Sequence, residues 1–154
     1  DKFLYWSQQL IAESLGKKNK GFLPTVSKAP KDHHSLLQLY LDGPKDKIFN
    51  IFSFEKKTKG KITINENFGI NKYLNKKEFS KIKDAQKKAL IKTFTKKNIP
   101  FREFKIKKFN EEILGELFSF FIIETIIVGK LLNINPFNQP AVEQVKTHTK
   151  KLLT

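Results

Sequence analysis

The chain has 154 residues, no cysteine and a formal charge of +15, with Lys and Arg numbering 30 against 15 Asp and Glu. This length suits one domain with a real core, or one piece of a larger protein. The lack of cysteine excludes a disulfide framework and a thiolate metal site.

So high a charge invites a nucleic-acid or anionic-membrane reading. Against it, Arg102 is the only arginine and the lysines are spread along the whole chain. Readers of bases and phosphates lean on the arginine fork. Most of the charge is therefore expected to be solvated surface, with a modest part in attracting an anionic substrate and with no nucleic-acid partner. The opening Asp1-Lys2-Phe3-Leu4-Tyr5-Trp6 has neither a basic n-region nor a cleavage site after it, so a cytoplasmic location is expected. The longest apolar run, Leu117 to Val128, contains Glu124. It falls short of the roughly 20 apolar residues of a membrane span, so it is expected to be a core helix, with no membrane partner.

In chain order, apolar residues at 3, 4, 6, 10 and 11 followed by Gly16 predict a helix over Phe3–Leu15. Lys17 to Lys31 holds Gly21, Pro24 and Pro30 and reads as a long loop. A short helix is expected over Ser35–Asp42, ended by Gly43-Pro44. Ile48–Phe54 suits a strand buried on both faces of a parallel sheet, and Lys61–Ile64 a second, short strand.

Asn75-Lys76-Lys77-Glu78 has the form of a capping box, opening a lysine-rich helix whose apolar stripe is Phe79, Ile82, Ala89, Leu90 and Phe94. Phe101–Lys107 alternates as a strand. Asn110-Glu111-Glu112 starts a helix reaching about Leu132, apolar on nearly all sides and so expected to be central. Pro136 breaks the chain, and Pro140 suits the first turn of a last helix to about Leu153. Strands alternating with helices imply one α/β layered domain.

Candidate chemistry is sparse. Gln9 and Glu13, four apart, share one helix face, where an amide can position a carboxylate as a base. A solvated helix glutamate is the plain alternative. His33 and His34 sit just ahead of a helix and suit proton transfer near neutral pH, or no task at all. No spaced partner makes them a metal site. Gln139 and Lys146 flank the start of the last helix, and His148 reads as surface. No phosphate loop, dinucleotide fingerprint, nucleophile elbow or zinc motif is present.

Three segments carry a resemblance. Residues 8–17, Gln-Gln-Leu-Ile-Ala-Glu-Ser-Leu-Gly-Lys, resemble the stretch around the catalytic glutamate of the glucose-6-phosphate isomerase family. Asp32-His33-His34-Ser35-Leu36-Leu37-Gln38 resembles the segment of its catalytic histidine, and residues 135–146, from Asn135-Pro136-Phe137 through Gln139-Pro140 to Val145-Lys146, its C-terminal signature ending in the catalytic lysine. Their order and separations extend the resemblance over essentially the whole chain.

It implies a sugar isomerase domain, a parallel central sheet flanked by helices plus C-terminal helices, spanning 1–154 as the second domain of a larger enzyme. Glucose 6-phosphate and fructose 6-phosphate would be interconverted without metal or organic cofactor. Glu13 would move a proton between C1 and C2, His34 and Lys146 would assist ring opening, and Gln9 and Gln139 would hold the substrate. A homodimer is implied too, His34 reaching the partner's site. The pattern departs at Ala141 and Val145, where the family usually has glycine, and at His33, where glutamine is commoner. The family's phosphate-binding loop and enediolate-stabilising arginine lie upstream of the matched segments, and Arg102 stands in the wrong segment for that arginine. Other readings are another sugar-phosphate isomerase, a catalytically silent copy, and a lysine-rich polyanion-binding module.

Overall fold

The computed structural model describes residues 1–55, 62–64 and 69–154. They form two compact units: residues 1–26 with 110–154, and residues 27–109.

In the first unit, α1 (Lys2–Leu15) packs along α4 (Glu111–Leu131), and α5 (Pro140–Leu153) follows. The α1–α4 seam is aromatic at one end. Phe3 meets Phe118 at 5.5 Å and Phe121 at 5.7 Å, and Trp6 stands edge-on to Phe118 at 4.4 Å between ring centroids. Leu15 and Phe121 are buried to 1% and 2% exposure, each contributing about 1.5–3 kcal/mol by leaving water. Asn110 caps α4 as expected, its Oδ1 accepting from the Ile113 N–H at 3.2 Å.

Helix α4, apolar on nearly all sides, is buried along one face within this chain. Leu117, Phe121, Thr125 and Gly129 form its one buried face, whereas Phe120, Ile123, Ile127 and Leu131 are exposed. An apolar helix pattern reports a preference for burial but supplies no neighbour to provide it.

In the second unit, α2 (Lys31–Asp42), β1 (Phe49–Phe54), a 3-10 turn (Gly69–Leu74), α3 (Phe79–Lys96) and β2 (Phe101–Ile106) follow in order. Strands β1 and β2 pair in parallel, Phe49 opposite Phe101 and Phe54 opposite Ile106. Phe52 and Phe104, partners in that register, stack at 4.8 Å with planes 8° apart. On α3, Phe94 is 1% exposed and touches Phe49 and Phe101, ring centroids 4.7 and 6.0 Å away. The helix is thereby bound to both strands.

Several expectations are corrected here. Helix α2 begins a turn before Ser35, so His33 and His34 lie inside it. Strand β1 is half-covered, with Ser53 buried but Phe54 56% exposed, because among the described residues the sheet has two strands. Phe79 and Ala89 of the expected α3 stripe are exposed. Of the expected strand over 61–64, Lys61 lies outside the described residues, and Thr63 makes an isolated antiparallel bridge to Glu78.

That bridge also displaces the capping box. Lys76 turns at φ 56°, and Glu78 is held extended at φ −68°, ψ 135° as the N-cap, without a side-chain cap bond. Helix α3 therefore starts at Phe79, three residues later than the box required.

Helix α3 ends in a motif absent from the sequence reading. Asn98 sits at φ 53°, with its N–H on Thr95 O at 3.2 Å and the Ile99 N–H on Phe94 O at 2.9 Å. This is the Schellman arrangement, which needs a left-handed residue. Asn98→Ala is expected to cost about 1 kcal/mol because a Cβ disfavours that conformation, whereas Asn98→Gly should be near neutral. Urea unfolding of the two variants separates them; equal losses would assign the effect to the lost amide instead.

Candidate active site

Residues 9 and 13 fall one helical turn apart on α1, and the Gln9 Nε2 donates to Glu13 Oε1 at 3.0 Å. A second amide arrives from a distant part of the chain: Gln139 Nε2 donates to Glu13 Oε2 at 2.9 Å, across 126 residues of sequence. Gln139 is the N-cap residue of α5, with Pro140 at the first helical position, yet its side chain makes no cap bond. Its amide serves the carboxylate instead. Each oxygen of Glu13 thus receives one donor, which sets the plane of the carboxylate and leaves acceptor positions open.

What places Gln139 is the segment joining α4 to α5. Asn133, at φ 53°, donates from its N–H to Lys130 O, and the Ile134 N–H reaches Gly129 O at 3.0 Å, another Schellman ending. Ile134 is buried. A Cβ on Gly129 would lie 3.1–3.3 Å from the ring of Pro136, so the absent side chain admits that close approach. The Phe137 N–H then closes on Asn135 Oδ1 at 2.9 Å.

Two lysines from the loop after α1 hold this segment. Lys17 Nζ donates to Asn135 O and Lys20 Nζ to Leu132 O, both at 2.7 Å. Partial burial lowers the Lys17 ammonium from the usual lysine value. The loop folds back through Gly21 at φ 100°, where a Cβ would stand 2.5 Å from Leu15 O. Gln8 Nε2 fastens the loop farther on, to Pro24 O at 2.6 Å. Sequence reading missed Lys17 and Lys20 as positioning groups; the only hint was the spacing of Glu13 and Lys17, four apart.

Lys146 is in the same unit but is not brought to Glu13. It is exposed on α5, and its ammonium pairs with Glu143 Oε1 at 2.7 Å. It borders an open groove along α5 with Val142, Val145, Thr149 and Leu153, and Glu13 is not part of that groove. His34 belongs to the other unit, exposed on the first turn of α2, and its neighbour His33 is half-buried. Among the described residues, no three His, Asp or Glu side chains gather in a metal-binding arrangement, and no helix is long and apolar enough to cross a membrane.

Against known proteins, the chain is 40% identical over 141 residues to the glucose-6-phosphate isomerase of Methanocaldococcus jannaschii, an alignment covering 92% of this chain and 35% of that one. The glucose-6-phosphate isomerases of Mycoplasmopsis synoviae and Mycoplasma capricolum are each 36% identical, over 94% and 96% of this chain and 34% and 36% of theirs. This chain is homologous to glucose-6-phosphate isomerases. It spans about a third of the length of the relatives it matches. No family model matches it. Among solved structures, the crystal structure of hypothetical protein TT0462 from Thermus thermophilus agrees with a TM-score of 0.78 at 27% identity, over 97% of this chain and 38% of that one. The mixed α/β architecture is thus shared with an experimentally determined structure.

If Lys17 holds the α4–α5 segment, Lys17→Met keeps the apolar stem and loses the bond to Asn135 O. Stability in urea should fall by about 1 kcal/mol. Amide exchange at residues 133–139 should quicken while that of β1 is unchanged. Unaltered exchange in the segment would show that Gly129 and Pro136 suffice to hold it.

Proposed function

We propose that this chain is the C-terminal third of a cytoplasmic glucose-6-phosphate isomerase, its second sugar isomerase domain with the closing helices. The parent interconverts glucose 6-phosphate and fructose 6-phosphate. The observation that carries the reading is the Glu13 carboxylate held between Gln9 and Gln139, two of the three segments that resemble the family meeting at one group.

The chemistry needs a base that removes a weakly acidic proton beside a carbonyl. In the open-chain aldose, Glu13 takes the C2 proton as the C1 carbonyl oxygen is protonated, giving a cis-enediol. The same carboxyl then delivers its proton to C1 while the O2 hydroxyl loses its own and becomes the ketose carbonyl. Gln9 and Gln139 orient the base and hold substrate hydroxyls. His34 and Lys146 assist ring opening, His34 by moving the proton of the ring oxygen or hydroxyl, and it does so in the partner subunit's site of a homodimer. None of these steps calls for a metal or organic cofactor.

Glu13 is exposed in this chain, and such a base works best away from bulk water. The phosphate-gripping loop and the arginine that stabilises the enediolate belong to the upstream domain. The 154-residue chain alone should therefore have little or no turnover.

A catalytically silent copy is the second reading. It is favoured by Val145, which stands beside Lys146 in the α5 groove, and by the ammonium of Lys146 lying on Glu143.

The test is isomerase activity of the parent reading frame beside its Glu13→Gln variant. A folded variant should lose about 10²–10⁴-fold in kcat, the usual contribution of a general acid–base group. Near-unchanged turnover would remove Glu13 as the base. An inactive parent would favour the silent copy.

A further inference from the structure

Three bonds join the end of α1 and the loop after it to the segment that enters α5. Lys20 Nζ donates to Leu132 O and Lys17 Nζ to Asn135 O, both at 2.7 Å, and Gln139 Nε2 donates to Glu13 Oε2 at 2.9 Å. Residues 20, 17 and 13 on one side meet 132, 135 and 139 on the other, the same steps of three and four residues taken in opposite directions. The contacts thus form one antiparallel register, and the Glu13 carboxylate is its last rung. A shared register fixes where each partner falls. The Gln139 side chain by itself is exposed and turns about several bonds, so it could not hold that position unaided.

Of the two ammonium rungs, Lys17 is nearer to Glu13 in the register and better protected, half-buried where Lys20 is exposed. On a continuous helix, a lysine four residues after a glutamate is placed to pair with it. Here Gly16 takes φ −74° and ψ 71°, off the helical path. The Lys17 ammonium goes to Asn135 O, and both oxygens of Glu13 are left to the amides of Gln9 and Gln139. The proposed chemistry uses neither end of the Lys17–Asn135 bond. Yet Lys17 closes the first segment that carries the family resemblance, and Asn135 opens the third.

We infer that Lys17 is a positioning residue for the Glu13 carboxylate: its bond to the Asn135 carbonyl sets the register that lays the Gln139 amide on the base. The inference rests on the isomerase reading for the chemistry that Glu13 performs, and on the bonds alone for the positioning. Without the ammonium, the segment from 132 to 139 is free to shift along α1. The carboxylate then keeps Gln9 but loses its second donor, and with it the plane that the two donors define. Proton abstraction is sensitive to such placement, since a displacement of about 1 Å can cost about a hundredfold.

The side-chain amide of Gln139, followed by NMR in the 154-residue chain, reads the positioning directly. Its resonances should move toward those of a solvated glutamine in Lys17→Met, as in Glu13→Ala, and stay in place in Lys17→Arg, which keeps a donor. An unmoved amide in folded Lys17→Met would overturn the inference. Equal displacement in Lys17→Arg would overturn it too, by showing that a donor at 17 is not what holds the amide.

In the parent enzyme, Lys17→Met should lower kcat per folded molecule by about tenfold or more. Added to Gln139→Ala, it should cost little further, because one residue acts through the other. Full additivity is what a merely structural role would give, and it would overturn the inference. In an inactive parent the isomerase reading fails, while a displaced Gln139 amide in Lys17→Met still supports the positioning.

Discussion

The packing of α1 against α4, Phe3 and Trp6 on Phe118 and Phe121, sets the distances at which every other contact of that unit can form. With the helices seated, the loop after α1 lies close enough for Lys17 and Lys20 to reach carbonyls beyond the end of α4. Those bonds, with Pro136 lodged on Gly129, bring Gln139 over the carboxylate of Glu13. The catalytic candidate thus depends on apolar packing about two to three helical turns away from it. Aromatic pairs of this kind contribute about 0.5–1.5 kcal/mol beyond their area, the same order as the net contribution of a hydrogen bond.

The lysines are used less uniformly than their scatter suggests. Lys17 and Lys20 cap backbone carbonyls, while Lys87 and Lys88 pair along α3 with Asp84, holding its carboxyl below the usual range. Lys87 and Lys105 also approach Glu103, whose Oε1 accepts from the Ser53 hydroxyl at 3.1 Å. A compact ammonium on a flexible stem suits such reaching contacts, where the planar fork of arginine would demand a matched partner. The exposed pairs contribute little to stability. Such a distribution differs from the concentrated basic stripe that polyanion binding favours.

Much was legible from local rules. Helix α1, the Asn110 cap, the Pro140 start of α5 and the two strands all follow from periodicity and end signals within a few residues of one another. The two Schellman endings at Asn98 and Asn133 were missed because asparagine marks a left-handed residue less plainly than glycine does. The capping box at Asn75–Glu78 was misread because a β-bridge from Thr63 to Glu78 competed for the same residues, and the tertiary contact prevailed over the local one.

The candidate site divides along the same line. Sequence alone determined that Gln9 and Glu13 share a helix face, since about 3.6 residues per turn leaves no choice, and that three separated segments resemble one enzyme family. Only the tertiary structure decided that Gln139 joins Glu13, that Lys146 turns to Glu143, and that one face of α4 stays open. Pairings within a helix depend on spacing, which a sequence states outright. A contact across 126 residues depends on how two packed helices and their connecting loops are placed, and no local pattern encodes that placement.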